Sequence, residues 1–383
     1  MDSQTRVQTH QLRYYIAFGA PPTREQAEGT EPFMRPEVGF TQRWYHHYCG
    51  LDFGERWHAD PDLRMKGWER MRGEIRRRFP GRNIGGSEGD DPPDLLTGTY
   101  GGCVVSSVYG QEIRYWPDNW PASAPGQELS DEEADELKPP EMEHNAVFSG
   151  ILKQMDRIER LTGTIRGFLN WQGVLNSAFR LRGDAIFMDM IETPERASRI
   201  FECVANTMIE GYQLVHARQR GAGTDYRFGT TANCVVNMVS PQHYERLLLP
   251  FDLRLRSAFL NFGIHNCAWR VDPYLPGYSR VPNLGYLDMG LESDLTEVKR
   301  LFPKSRRNLI YTSMDMMNKA DGQIRDDFER IARDLGPCDL GLPNVELGVS
   351  DERILFAMDL CEELSDRYGR LGVQVDNVAN PPS

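Results

Sequence analysis

The spacing of apolar residues divides the chain near residue 145. The first part is largely polar and irregular, with two predicted helices. One covers 41–48 and ends at Gly50, and the other begins at Asp60, which precedes a proline, and runs to about residue 79. Aspartate before proline is typical of a helix start. The segments 80–98 and 117–140, rich in Gly, Pro and Asp, are predicted loops.

After residue 145, helical patterns alternate with short apolar runs. The strand-like runs are 164–169, 225–228, 259–265, 285–288, 308–312 and 339–345. Alternation at this spacing predicts βαβ units and a parallel sheet. About eight such units, counting less regular N-terminal ones, favour a closed (β/α)8 TIM barrel over an open α/β sheet. We therefore predict a single domain over 1–383, with 1–98 as an elaborated N-terminal extension.

Composition and charge exclude several classes of function. The chain has 383 residues, a formal net charge of −12 and 40% hydrophobic residues. An acidic surface argues against nucleic acid as a partner, and no apolar run is long enough to span a membrane. The seven cysteines are scattered and odd in number, which favours a reducing compartment and hence the cytoplasm. No glycine-rich dinucleotide fingerprint follows any strand-like run.

The triplet His265-Asn266-Cys267 at the end of the run 259–265 is the strongest candidate for chemistry. Zinc is bound by imidazole nitrogen and thiolate sulfur together. Side chains at positions i and i+2 of a strand point to the same side, so His265 and Cys267 are predicted to converge on one ion. The alternative is a half-buried histidine beside an inert core cysteine.

A zinc site needs a third protein ligand, and the sequence leaves three candidates open. Cys338 lies at the start of a predicted strand, which is the wrong end for a site at the carboxyl rim. Glu346 lies where the same strand should end, and Cys234 lies in a rim loop.

Other polar residues fall where predicted strands end, which is where catalytic residues of barrels collect. Asp225 and Asp288 are candidate catalytic carboxylates, and Asn170, Trp171 and Gln172 are candidate substrate-binding residues. The alternative for each is ordinary loop polarity, a helix cap or core packing.

The segment 31–40 mixes Phe, Met and Val with Arg35 and Glu37. Such a segment is consistent with a lid over the barrel mouth, in which Arg35 pairs an anionic group of the substrate. The alternative is an arm packed for stability, with Arg35 in a structural salt bridge.

Four segments together resemble a known family. They are Ser240-Pro-Gln-His-Tyr-Glu-Arg-Leu-Leu-Leu-Pro250, Phe262-Gly-Ile-His-Asn-Cys267, Leu287-Asp-Met-Gly290 and Val349-Ser-Asp-Glu-Arg-Ile354. The chain resembles the uroporphyrinogen decarboxylase superfamily over about 145–365, and in particular its cobalamin-dependent methyltransferase branch. That resemblance implies a (β/α)8 barrel in which a His-x-Cys pair and a distant cysteine bind zinc.

The chain departs from the pattern of this family in three places. The distant cysteine of the family falls near 344–346, where this chain has none, so the third ligand stays open. Ala268 replaces the glycine that follows the His-x-Cys pair. Of the arginine-rich motif of the decarboxylase branch only Arg35 is left, which argues against porphyrinogen decarboxylation.

The resemblance implies a zinc-dependent methyltransferase that moves a methyl group between a small substrate and a corrinoid (cobalamin). The substrate would be a methoxy aromatic, a methylamine or a methyl thioether. The corrinoid is expected on a partner protein, because the chain shows no corrinoid-binding domain of its own. The alternatives are a metal-free decarboxylase or lyase, with Asp288 or His265 as acid and base, and a non-catalytic barrel that binds a small ligand.

Overall fold

The computed structural model describes residues 25–29, 31–82, 84 and 92–370, which form a parallel sheet covered by helices. The strands are β1 (Met34–Phe40), β2 (Ile113–Trp116), β3 (Asn119–Ser123), β4 (Phe228–Ala232), β5 (Asn261–His265), β6 (Tyr286–Met289), β7 (Arg306–Ile310) and β8 (Cys338–Val345). Six of them form one sheet in the order β1-β8-β7-β6-β5-β4, and every pair in it is parallel. The predicted α/β class with a parallel sheet is confirmed.

The gap between β1 and β4 contains one isolated parallel bridge, between Asp94 and Arg166. The predicted strand at 164–169 is therefore a single bridge in the structure. Within the described residues, the hydrogen-bonded ladder joins six strands, so a complete eight-stranded barrel stays a prediction.

Helices connect the strands and cover the outer face of the sheet. The α-helices are α1 (Gln42–Cys49), α2 (Glu55–Ala59), α3 (Pro61–Arg78), α4 (Val104–Val108), α5 (Asp131–Asp135), α6 (Ala146–Thr162), α7 (Val174–Arg182), α8 (Ala185–Glu192), α9 (Pro194–Gly221), α10 (Pro241–His243), α11 (Leu249–Ala258), α12 (Leu275–Tyr278), α13 (Leu295–Leu301), α14 (Ser313–Asn318), α15 (Asp321–Leu335) and α16 (Asp351–Arg370). Among the residues that the structure describes, none of these helices combines the length and hydropathy that a membrane span requires.

The predicted ends of the early helices are confirmed by their caps. The side chain of Asp60 accepts hydrogen bonds from two backbone N–H groups at the start of α3, and Gly50 ends α1 in the left-handed region with φ 62°. The predicted loop 117–140 contains more structure than expected. It holds β3 of the β2–β3 hairpin and the short α5, which begins with a capping box formed by Ser130 and Glu133.

Alternate residues of each sheet strand point outward and form the core with the helices. Most of these outward residues are apolar, and those with no exposed surface include Val38, Ile264, Leu287, Leu309 and Leu340. The intervening residues point to the inner face, and many of them are polar. The outer face therefore holds the helices on the sheet by apolar burial, and the inner face is left for polar groups.

The prediction that the segment 31–40 is a lid is wrong. Its residues from Met34 to Phe40 are β1, which pairs with β8 in register from Met34 opposite Cys338 onward. Arg35 is 1% exposed, and its Nε and Nη2 atoms each lie 2.8 Å from an oxygen of Asp339. Arg35 is thus a structural residue at the amino end of the sheet, because its charge is already paired inside the fold.

We expect Arg35→Ala to lower the free energy of unfolding by about 3 kcal/mol, since the buried carboxylate of Asp339 would lose one of its two guanidinium partners. Denaturant titration of the variant measures this loss. Arg333→Ala is the matched control, because the Arg333–Asp334 ion pair is largely exposed on its arginine side and should contribute nothing measurable. If the two variants unfold alike, Arg35 does not have the structural role described above.

Candidate metal centre

Two neighbouring strands bring the candidate ligands to the same edge of the sheet. Ala232, the last residue of β4, lies opposite His265, the last residue of β5. Cys234 follows β4 by two residues, as Cys267 follows His265 by two. The backbone N–H of Asn233 donates to the carbonyl oxygen of His265 at 2.6 Å, which fixes one loop against the other.

Three side chains meet at this edge. The Sγ atoms of Cys234 and Cys267 are 2.8 Å apart, and Sγ of Cys267 lies 3.0 Å from Nε2 of His265. Within the described residues this is the one group of three or more His, Cys, Asp or Glu side chains close enough to share a metal ion. The structure therefore brings His265 and Cys267 together, and places Cys234 beside them.

The convergence of His265 and Cys267 does not come from strand alternation, as the sequence suggested. β5 ends at His265, and Cys267 has a left-handed backbone with φ 59°. A cysteine rarely adopts this conformation, and its cost of about 1–3 kcal/mol must be offset by the surrounding structure. The turn through Asn266 folds the sulfur back toward the imidazole that precedes it.

Asp288 on β6 orients the imidazole of His265 through its Nδ1 atom. Its Oδ2 lies 2.5 Å from Nδ1 of His265 and also accepts from the hydroxyl of Tyr286 at 3.0 Å. Its Oδ1 accepts from the backbone N–H of Asn266 at 2.5 Å. A carboxylate on Nδ1 leaves Nε2 directed at the two sulfurs, which is the usual arrangement behind a metal-bound histidine.

A second buried carboxylate supports the loop that carries Cys234. Oδ2 of Asp252 accepts from the side-chain amide of Asn233 at 3.0 Å and from the hydroxyl of Tyr244 at 2.8 Å. Burial raises the pKa of Asp252 to about 6. Tyr244 opens a π-helical turn (Tyr244–Leu248), an irregularity that is frequent near functional sites.

The charges at the centre are strongly coupled. The hydrogen bond from Cys267 lowers the pKa of Cys234 to about 4, and the nearby His265 acts in the same direction. Burial would lower the pKa of His265, but the Asp288 carboxylate and the two sulfurs raise it well above its usual value. The Cys234 thiolate in turn raises the pKa of Cys267. The pair therefore loses its first proton well below the usual range of a thiol.

The other two candidate ligands lie elsewhere. Cys338 begins β8 and is buried at the amino end of the sheet, as its position in the sequence suggested. Glu346 follows β8, and its Oε2 lies 3.4 Å from the hydroxyl of Thr41. Neither belongs to the group formed by Cys234, His265 and Cys267.

Two of the predicted rim residues do not reach the centre. Asp225 precedes β4, which begins only at Phe228, so it lies at the amino end and pairs with Arg227 at 2.5 Å. Trp171 has no exposed surface and packs in the core against Phe148 and Tyr212. Asp225 is thus not a catalytic candidate, and Trp171 is a core residue rather than a substrate contact.

Gln172 and Asn170 lie in the loop beside the end of β4. The carbonyl oxygen of Gln172 accepts from the backbone N–H of Ala232 at 3.1 Å, and its Oε1 accepts from Asn176 at 3.1 Å. The side chain of Asn176 also lowers the pKa of the Cys234 thiol. Asn170 accepts from the backbone N–H of Gln172 and holds this turn. Gln172 therefore contacts Asn176, whose side-chain oxygen accepts from the backbone N–H of Val235, the residue after Cys234.

Sequence reasoning underrated Cys234 and missed Tyr286, Asn176 and Asp252. A usable signal existed for Cys234, because parallel neighbours end at the same edge of a sheet and each of these strand ends is followed by a cysteine. The other three come from the inner face or from helices, and nothing in their local sequence marks them.

The donor set fits a zinc ion. Two sulfurs and one imidazole nitrogen are the protein ligands of a known class of catalytic zinc site, which keeps a fourth position open. Around such an ion the sulfurs would lie about 3.8 Å apart, given zinc–sulfur bonds of about 2.3 Å. The observed separation of 2.8 Å is shorter, so the two loops would open by about 1 Å to admit the ion.

Neither a protein-family model nor a curated protein sequence matches the chain. Among solved structures, the chain is similar to a methyltransferase from Methanosarcina mazei, with a TM-score of 0.61 and 13% sequence identity. The match covers 86% of this chain and 93% of that chain. At this identity, the likeness shows that the two proteins share a fold over most of their length.

Proposed function

We propose that this protein is a zinc-dependent methyltransferase that acts on a small methylated substrate and exchanges the methyl group with a corrinoid. The observation that carries the proposal is the group formed by Cys234, His265 and Cys267 at the carboxyl edge of a parallel sheet. The shared fold with a methyltransferase of known structure supports it.

Each residue of the centre has a defined task under this proposal. Cys234, His265 and Cys267 would hold zinc, which as a Lewis acid polarises a bound oxygen or lowers the pKa of a bound thiol. Asp288 holds the imidazole in the tautomer that presents Nε2, and Tyr286 holds Asp288. Asp288 has no exposed surface and is engaged by three hydrogen bonds, so it positions His265 rather than exchanging protons with a substrate. This arrangement argues against the decarboxylase alternative.

The residues around the carboxyl edge of the sheet would suit a corrinoid presented by another protein. Large apolar side chains stand exposed on the segments after β4, β5 and β7: Met238 is 64% exposed, Trp269 is 55% and Met314 is 61%. Exposed large apolar side chains at the same edge of a sheet suit contact with an apolar partner. The flat face of a corrinoid and the protein around it would cover these residues.

A direct assay tests the proposal. The zinc-loaded protein is mixed with cob(I)alamin and with a methoxy aromatic, methylammonium or a methyl thioether, and methylcobalamin is followed by its absorbance. We expect methyl transfer from at least one of the three substrate classes. Release of carbon dioxide from carboxylic acids without methyl transfer would instead favour the decarboxylase.

Metal content provides a separate test of the ligands. Protein purified under reducing conditions should hold about one zinc per chain. Cys234→Ser and Cys267→Ser should lose it, because each removes one of three ligands, while Cys49→Ser and Glu346→Gln should retain it. Elemental analysis measures zinc, and circular dichroism shows whether each variant is folded. Retention of zinc by folded Cys234→Ser would exclude Cys234 as the third ligand.

The role of Asp288 leads to a quantitative expectation. Asp288→Asn should weaken zinc binding by about 10–100-fold, since the residue behind a metal-bound histidine fixes its tautomer and orientation. Competition with a chromophoric chelator measures the affinity. Asp225→Asn is the control and should leave it unchanged, because Asp225 lies at the opposite end of the sheet. Equal zinc affinity of Asp288→Asn and the wild type would contradict the positioning role.

A further inference from the structure

Arg180 on α7 carries a positive charge beside the carboxyl edge of the sheet. Within the part of the chain that the structure describes, its guanidinium contacts Sγ of Cys103 at 3.7 Å and takes part in no ion pair. Burial raises the pKa of the Cys103 thiol, so this sulfur is neutral and does not offset the charge. Arg180 is only partly buried. Its charge is therefore available to an anion that arrives from solution.

Two hydrogen bonds fix the direction of the Gln172 side-chain amide. The backbone N–H of Val235 donates to Oδ1 of Asn176 at 3.1 Å, which turns Nδ2 of Asn176 toward Gln172. This Nδ2 donates to Oε1 of Gln172 at 3.1 Å. Because Oε1 faces Asn176, Nε2 of Gln172 faces the other way, and no described residue accepts a hydrogen bond from it.

Gly102 brings this amide and the guanidinium together. A Cβ atom at Gly102 would lie 2.6 Å from Nε2 of Gln172 and 3.2 Å from Nη2 of Arg180, so both nitrogen atoms lie against one residue. Gln172 has a left-handed backbone with φ 60°, a conformation that the surrounding structure must hold in place. Gly102, Gln172 and Arg180 are each partly exposed. Two hydrogen-bond donors, hereafter the donor pair, thus meet where solvent can reach them.

The donor pair adjoins the metal group. The carbonyl oxygen of Gln172 accepts from the backbone N–H of Ala232 at 3.1 Å, and Ala232 lies opposite His265. The hydrogen bonds that orient the amide begin at Val235, the residue after Cys234. The donor pair and the metal group therefore lie on adjoining segments of one edge, where a small molecule can contact both.

The chemistry of the donor pair selects one kind of ligand group. A guanidinium and the N–H groups of an amide only donate, so they need an acceptor with more than one oxygen atom. A carboxylate meets this need and also balances the charge of Arg180, with hydrogen bonds that its charge strengthens. A protonated amine would bring a second positive charge beside Arg180.

We propose that Arg180 and Gln172 bind a carboxylate group of the methylated substrate, while its methyl-bearing atom faces the metal group. This deepens the proposed function and rests on it. It favours a methoxy aromatic or a methyl thioether that carries a carboxylate, and it disfavours methylammonium, which Arg180 would repel.

Matched pairs of probes test the inference with the zinc-loaded wild type. One pair is 4-methoxybenzoate and 4-methoxybenzamide, the other is 3-(methylthio)propanoate and 3-(methylthio)propanamide, and isothermal titration calorimetry measures each affinity. We expect the carboxylate of at least one pair to bind about tenfold or more tightly than its amide, since charge-assisted hydrogen bonds are lost with the amide. A preference in neither pair would overturn the inference. Inorganic phosphate that binds as tightly as the better carboxylate would also overturn it, because the donor pair would then accept any anion.

Two variants assign the preference to the donor pair. Arg180→Gln removes the charge, and Gln172→Glu places a carboxylate beside Arg180. Each should bind the carboxylate probe about tenfold more weakly, with unchanged affinity for the amide and unchanged zinc content. Arg270→Gln is the matched control, because Arg270 follows β5 at the same edge and its charge is already paired with Asp272.

A carboxylate held by zinc alone would keep its affinity in both variants, and that result would refute the assignment. Circular dichroism shows whether each variant is folded. Gln172→Glu serves if Arg180→Gln does not fold, and the wild-type measurement needs no variant.

The failure of this inference differs from the failure of the proposed function. Zinc retention and methyl transfer test the metal group, whereas the probe pairs test the donor pair and require no turnover. A protein that transfers methyl groups but binds each carboxylate no better than its amide would keep the proposed function and lose the role of the donor pair.

Discussion

The parallel pairing of β4, β5 and β6 is the constraint on which the candidate centre depends. Parallel strands in register end at one edge, so residues that follow different strands become neighbours. Ala232 lies opposite His265, and Gly263 lies opposite Tyr286, which places the segments after β4 and β5 beside the end of β6. Cysteine, histidine and aspartate from three separate parts of the chain meet for this reason. A shift of one residue in any of these pairings would turn the side chains to the outer face.

Polar side chains on the inner face have partners along most of the length of the sheet, from its amino end to its carboxyl end. Arg35 and Arg306 share Asp339 at the amino end, and Asn308 and Tyr286 continue the hydrogen bonds toward Asp288. Buried charges without such partners would cost several kcal/mol each. The same contacts that satisfy these groups also connect the structural amino end of the sheet to the imidazole at its carboxyl end. Fixing the histidine thus requires most of the inner face to be in place.

Much of this arrangement was accessible from the sequence, and the misses have physical reasons. Periodicity revealed the alternation of helices and strands from about residue 145, and the spacing of His265 and Cys267 pointed to two of the three side chains that lie together at the carboxyl edge. β1 was mistaken for a lid, because charged residues such as Arg35 and Glu37 in a strand suggest an exposed segment, and their partners lie about 300 residues away on β8. Trp171 illustrates another limit, since no local pattern says whether an aromatic residue at a strand end faces the mouth or the core. Asp225 was assigned to the carboxyl rim although it begins the predicted run 225–228, and β4 itself starts only at Phe228.

The segments that supply Cys234 and Cys267 also carry exposed apolar side chains. Cys234 is followed directly by the 3₁₀ turn Val235–Met238, and Cys267 is two residues from Trp269. Cys267 already sits in a left-handed conformation that costs free energy, and its sulfur lies 2.8 Å from that of Cys234. A divalent cation bound by both sulfurs would offset the cost of this conformation and would tie the two segments to each other. Binding of the metal and the position of these apolar side chains are then linked, because the same few residues determine both.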